Sequence, residues 1–446
     1  MEKTMTQGKE WKLILLFTLP LMAGNLLQQL YNTVDGVIVG NFVGEDALSS
    51  VGTCSPLTLL FIAIAMGMST GASIVISQFY GAGAMEEMRR SVATAMLLLM
   101  GLGVVLTVLA FAGAGWLLDG VLGVQGYLLA DAVTYFRIYA LGLFFQFVYN
   151  IAAAVLRSLG NSRATLYVLL LSSVCNVVLD LAAVLILHWG VMGVAVATVI
   201  SQILSAVVSV AYLFRAYPNL RFRKGEFRFH RETAGLILKM GIPSTIQQCV
   251  VSFNHMAIQR VVNAFDITAG YTAAMRIENF ICIPAQSFFL GMSTFTGQNL
   301  GARQLDRVRR GLRGTLIMST ISVVIISSLV LLLAPQLVGL FGVVGDSRAV
   351  GVTYLHYVAV GFILFSWYFC FNGVLQGAGD VMFTLFNTVS SLVLRTVVTY
   401  ILAFLTPVGY VAIWWSLIVS WVYNVVLAYL RYRFGPWKHK GVVAAE

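Results

Sequence analysis

Three acids lie well inside the long apolar runs of this chain: Asp35, Asp180 and Glu278. An ionisable side chain inside a membrane-spanning helix is expensive, so each is a functional candidate. Tyr31 stands four residues before Asp35, and Asn176 four before Asp180, so each pair shares one helix face. Asp35 precedes the end of its run by about five residues, Asp180 by about seven, and Thr198 follows the start of its run by about eight. At the helical rise per residue, all three lie roughly 8–12 Å below the same membrane boundary. Two carboxylates, an amide, a hydroxyl and a phenol therefore share one level. Two close carboxylates disfavour double ionisation, so one tends to hold a proton. The oxygens of Asp35, Asp180, Asn176 and Thr198 could instead hold a hard cation such as Na⁺. Either occupant could couple an ion gradient to transport. The plainer reading is a hydrogen-bonded helix contact, for which two buried acids are a costly choice.

Arg276, Glu278 and Arg395 form a second polar set, read as a structural or gating cluster or as substrate contacts. Pro20 lies inside the first run and predicts a kink there. The sequence holds no P-loop, no GxGxxG and no HExxH. The acid pair has no nucleophile or cofactor motif beside it, so an enzyme is not expected. The five cysteines fall in apolar runs without a CxxC pair and read as small core residues.

Helices must carry these groups. Of the 446 residues, 59% are hydrophobic and only 10% are charged. A soluble chain carries roughly 25% charged residues, so a soluble enzyme, a disordered chain and a disulfide scaffold are excluded. A spanning helix needs about 20 apolar residues. Twelve such runs can be marked, at approximately 12–40, 47–79, 91–116, 128–156, 163–187, 190–214, 232–262, 268–299, 311–334, 347–376, 382–405 and 408–431. Residues 95–106 carry no polar side chain and do not alternate, which excludes a transmembrane β-barrel. The fold class is an all-α polytopic membrane protein. Lys and Arg gather in alternate loops, which places both termini in the cytoplasm. The net charge of +10 is spread over those loops, so it predicts no nucleic acid partner.

The polar stretch at 217–231 divides the chain into two six-helix lobes, 1–216 and 232–446. Gly71, Ser73, Gln78 and Gly81 match Gly291, Ser293, Gln298 and Gly301 at one shift. Leu156, Gly160 and Thr165 match Leu375, Gly379 and Thr384 at a shift one residue different. An even number of helices per half makes a parallel repeat, related by a pseudo-two-fold along the membrane normal. The acidic site does not repeat: Arg395 and Thr399 occupy the places of Asn176 and Asp180.

Several motifs look familiar together: LPLMAGNLLQQLYNTVDGVIVG at 19–40, SQFYGAG at 77–83, LRSLGN at 156–161, NVVLD at 176–180, GQNLGA at 297–302 and LQGAGD at 375–380. With them the chain resembles the multidrug and toxic compound extrusion (MATE) family over nearly its whole length. The resemblance implies two lobes and cation-driven export of drugs and organic cations. It also implies that Asp35, Asp180, Asn176, Thr198 and Tyr31 form the coupling site of the DinF-like branch, with Pro20 as its bending proline. The NorM-like branch also uses acids of the second lobe. Here the tenth run has no carboxylate, and the seventh has only Glu232 at its start. The expected protein is a monomeric secondary antiporter of a bacterial inner membrane, driven by H⁺ or Na⁺ and without a cofactor. Its partners would be small organic cations and membrane lipids. The alternative is a flippase for lipid-linked oligosaccharides, supported only by Arg137, Arg276 and Arg395 as cavity cations.

Overall fold

A computed structural model of the chain describes residues 4–43, 45–124, 126–222 and 226–443. Every regular element among these residues is helical. In chain order the α-helices are α1 (Glu10–Ile38), α2 (Glu45–Gly81), α3 (Met85–Gly115), α4 (Gly126–Ser158), α5 (Ser162–Leu181) and α6 (Gly190–Ala216). There follow α7 (Arg231–Ala264), α8 (Thr268–Ile281), α9 (Ile283–Gly301), α10 (Leu305–Gly339), α11 (Gly345–Gly377), α12 (Val381–Leu405) and α13 (Ala412–Phe434). Ten helical stretches are long and apolar enough to cross a membrane alone. With α7, and with α8 and α9 in series, they make the twelve spans of a multi-pass membrane protein.

The eighth run, expected as one helix over 268–299, is broken at Cys282. Pro284 sits at the start of α9 and has no N–H with which to continue the ladder from α8.

The chain forms two compact units. One comprises Met1–Met22, Ser77–Gly83 and Ile246–Glu446; the other comprises Ala23–Ile76 and Ala84–Thr245. We call them the C-terminal and N-terminal units. Both α1 and α7 pass from one unit to the other within their length. Each does so two residues after a proline, Pro20 in α1 and Pro243 in α7.

Within lipid the hydrophobic effect does not drive helices together, so packing and polar contacts must hold each unit. In the N-terminal unit, Ser73 and Ser158 join α2 to α4 at 2.8 Å. In the C-terminal unit, Ser319 and Ser366 join α10 to α11 at 2.6 Å, and Thr399 donates to Ser416 between α12 and α13 at 2.6 Å. Such contacts contribute on the order of 0.6 kcal/mol each.

The tightest helix crossing in the C-terminal unit joins the ends of α2 and α9, which are repeat-related. A Cβ on Gly81 would lie 1.9 Å from the Gln298 carbonyl oxygen, and one on Gly301 would lie 2.0 Å from that of Gln78. Neither position can accept a side chain without a backbone shift. The side chains of the same two glutamines hold the two ends of the chain. The Met5 N–H donates to Gln298 Oε1 at 2.7 Å, and the Val442 N–H donates to Gln78 Oε1. Both tails therefore dock at one end of this unit.

Gly301→Ala is expected to destabilise the protein by about 1–3 kcal/mol, the usual cost of overpacking. Gly101→Ala, where a Cβ meets nothing within 4 Å, should be neutral or mildly stabilising. Thermal melts of the two variants in detergent check this; equal melting temperatures would contradict the crossing.

Candidate functional site

The C-terminal ends of α1 and α5 and the start of α6 converge within the N-terminal unit. Ile38, Val39, Val184 and Val194 pack there into one buried apolar cluster. Below it, α1 brings Tyr31 and Asp35, α5 brings Asn176 and Asp180, and α6 brings Thr198. The Asp35 and Asp180 carboxyls lie against one another. The Tyr31 phenol lies close to both, beside Thr198. Four of the five residues that sequence reasoning grouped by depth and helix face thus lie together, and Asn176 is buried one helical turn before Asp180.

Burial is uneven across it. Asp180 and Asn176 are 0% and 1% exposed, whereas Tyr31, Asp35 and Thr198 are only partly buried. Asp35 Oδ1, both carboxyl oxygens of Asp180 and both amide heteroatoms of Asn176 are buried without a hydrogen-bond partner. Thr198 satisfies its own hydroxyl by donating to the Val194 carbonyl at 2.9 Å, which leaves its lone pairs free to accept. Among the described residues, no group of three His, Cys, Asp or Glu gathers at one point. The ligands beside the acid pair are therefore neutral oxygens. Such a set suits a proton or a small hard cation, and it has no soft donor for a transition metal.

Backbone geometry marks the same level. Four residues after Asp35 the helix widens into a π-helical turn at Val39–Val43, and α5 does the same at Ala182–Ile186, two residues after Asp180. π-turns inside helices concentrate at functional sites. Both acid-bearing helices therefore loosen their regular ladder where the pair is held.

Sequence reasoning missed the contribution of α4. Tyr135 and Tyr139 stack with ring centroids 6.2 Å apart. Both lie close enough to interact electrostatically with the cluster, Tyr135 with Asp35 and Tyr139 with Tyr31. Gln202 of α6 adjoins Tyr139. The available signal was two tyrosines one helical turn apart in a membrane-spanning run.

The second polar set is only partly assembled. Glu278 of α8 accepts a hydrogen bond from the Tyr354 hydroxyl of α11. Arg395 of α12 is 7% exposed, faces Glu278, and reaches Asn254 Oδ1 of α7 at 3.4 Å. Tyr271, Tyr354 and Trp414 enclose the pair, with Tyr354 and Trp414 centroids 4.7 Å apart. Arg276 is placed elsewhere, its guanidinium 6.0 Å above the Phe341 ring. Pro20 lies within α1, and the helix continues through it.

A family model, MatE, matches residues 20–182 and 243–401. The Probable multidrug resistance protein YpnP of Bacillus subtilis (strain 168) is 29% identical, across 97% of this chain and 97% of that one. The Probable multidrug resistance protein YoeA of the same organism is 28% identical, across 99% and 98%. Among solved structures, a crystal structure of MATE in the bent conformation is 25% identical, with a TM-score of 0.87 over 96% of this chain and 95% of that one.

The unpartnered carboxyl of Asp180 predicts an unusual mutational outcome. Asp180→Asn keeps the shape and removes the repulsion with Asp35. It should leave helical content unchanged and the melting temperature equal or higher. A loss of about 1–3 kcal/mol, the cost of breaking a satisfied buried interaction, would mean that the carboxylate has a partner.

Proposed function

The chain belongs to the MatE family, and from that premise we propose that it is a secondary multidrug efflux antiporter. It would export lipophilic, often cationic, organic compounds in exchange for H⁺ or Na⁺. The observation that carries this reading is the Asp35–Asp180 pair, held among neutral side chains without a counter-ion among the described residues. The names of its relatives support the substrate class.

The mechanism follows from differential occupancy. A transporter couples two ligands when each favours a different conformation of one bistable element. With both carboxyls ionised, α1 and α5 repel one another at the level of the pair. A proton on one carboxyl, or a Na⁺ held by Asp35, Asp180, Asn176 and Thr198, cancels that repulsion and draws the helices together. Tyr31 and Thr198 supply hydroxyls that can bond whichever occupant is present. Pro20 weakens the ladder of α1 before the segment that carries Asp35, so that segment can bend without unwinding. In this cycle substrate leaves outward as the ion enters from outside. The one-sided distribution of Lys and Arg supports both termini lying in the cytoplasm of a bacterial-type inner membrane. An acid pair confined to the N-terminal unit supports assignment to the DinF-like branch.

The test is ethidium efflux from proteoliposomes under an imposed pH gradient and then an imposed Na⁺ gradient. Wild type is expected to respond to one of the two, which names the coupling ion. Asp35→Asn and Asp180→Asn, reconstituted to equal levels, should fall to the rate of protein-free liposomes. A folded variant that still exports at the wild-type rate would remove the coupling role. Wild-type failure under both gradients would remove ion-driven export of this compound class.

A further inference from the structure

A cavity of about 560 Å³ opens at the end of the C-terminal unit where the two tails dock. Four cations line it: Arg309 and Arg313 from the first turns of α10, Arg433 from the last turn of α13, and Lys438 from the tail. Among the described residues no carboxylate lines it. Other arginines at this end have carboxylate partners within the unit. Arg307 and Arg310 pair with Glu10, and Arg431 forks onto Asp380 at 2.8 and 3.2 Å. By contrast, Arg313, Arg433 and Lys438 form no ion pair among the described residues. Arg309 pairs only with the exposed Asp306 of its own helix.

The cavity is built rather than incidental. After α13 the chain turns back at Gly435 and Pro436, and Trp437 is driven into the core at 1% exposure. The Trp437 indole N–H donates to the Tyr432 carbonyl at 2.7 Å, and its ring stacks on Tyr432 at 5.4 Å. The Tyr432 phenol in turn lies within electrostatic reach of Arg309, Arg313 and Arg433. The tail therefore fixes an aromatic floor beneath three guanidinium groups.

The inner wall is apolar, formed by Leu312, Leu316 and Phe371. Leu316 lies eleven residues into α10, or about 16 Å along the axis. The site thus grades from cations at the helix ends to apolar side chains deeper in the bundle. Guanidinium groups bind phosphate by paired hydrogen bonds, and basic pockets between membrane helices suit anionic lipid head groups. A free phosphate would use the cations and leave the apolar wall idle. An organic cation would be repelled.

We propose that this cavity binds the phosphate head group of an anionic phospholipid, with the start of its acyl chains along Leu312, Leu316 and Phe371. The site is separate from the acid pair, and its occupancy can be read without transport.

The test uses the full chain, delipidated in detergent, with phosphatidylglycerol, phosphatidylcholine or inorganic phosphate added. Native mass spectrometry reads lipid retention, and melting temperature reads stabilisation. Phosphatidylglycerol is expected to be retained in preference to phosphatidylcholine and to raise the melting temperature; phosphate should do neither. Removing two cations in Arg313→Gln/Arg433→Gln should weaken phosphatidylglycerol binding about thirtyfold. Arg163→Gln, an exposed cation of the N-terminal unit, should not. If the double variant fails to fold, Lys438→Gln should still weaken binding several-fold. Equal retention of the two lipids, or unchanged binding by the folded variants, would overturn the proposal. Protection by inorganic phosphate equal to that of the lipid would overturn it in favour of a free-anion site.

Discussion

In hydrocarbon, a polar group must find its partner inside the protein, because no water replaces a missing hydrogen bond. Most of this structure obeys that constraint by local means. Serine and threonine hydroxyls return to carbonyls of their own helix, or bridge to a neighbour as in Ser319–Ser366. The Asp35–Asp180–Asn176 group is the concentrated exception. Five of its heteroatoms are buried and unmatched. Each such group costs about 1–3 kcal/mol, and the cost falls on a region whose lid is purely apolar. The burial of Asp35 and Asp180 beside one another, with no cation among the described neighbours, is what makes the protonation or ion occupancy of this pair matter to the helices that carry it.

The C-terminal unit answers the same constraint in the opposite way. Glu278 accepts a hydrogen bond from Tyr354 and has the Arg395 guanidinium as a nearby cation, which the acid pair of the N-terminal unit lacks among the described residues. Aromatic rings close around the pair and keep it in place. An incoming cation has little to gain there, because it must compete with a guanidinium already in position. The repeat positions show how this arose chemically: where one half has Asn176 and Asp180, the other has Arg395 and Thr399. One substitution adds a cation and the other deletes an anion. The two halves thereby carry different charge at corresponding positions, and the acid pair belongs to one of them.

The parts of this arrangement that lie along one helix were legible in sequence. The four-residue spacing of Tyr31 and Asp35, and of Asn176 and Asp180, sets a shared face whatever the helix packs against. Depth counted from the ends of the runs brought α1, α5 and α6 to one level. What could not be read was rotation. In a bilayer the lipid-facing and core-facing sides of a helix are both apolar, so pattern alone does not say which way a helix turns. That is why Tyr135 and Tyr139 were not assigned to the site, and why Arg276 was grouped with Glu278 although it packs over Phe341. The break at Cys282 had a local signal in Pro284, but a continuous apolar run masked it. The basic cavity at the tail was hidden for a different reason. Its cations come from segments more than a hundred residues apart, and in sequence they read only as loop charges.

The prolines of α1 and α7 explain how one chain can serve two compact units through unbroken helices. A helix shared between units transmits bending from one to the other unless its ladder is weakened where it crosses. Proline weakens it locally, by removing one N–H and crowding the preceding turn, while the helix stays continuous on both sides. Pro20 and Pro243 stand two residues before the crossings. The two stretches matched by the family model also begin at these prolines. In α1 the crossing separates the tail-docked segment, held through Met5 and Glu10, from the segment that carries Asp35. A force that arises at the acid pair is therefore delivered to a helix segment anchored on one side and hinged at a fixed point. In α7 the same device has no acid beyond it. A proline at the crossing with an acid pair beyond it occurs in α1 and not in α7, so under the proposed function α1 is the helix in which neutralising the pair has a weakened point to act on.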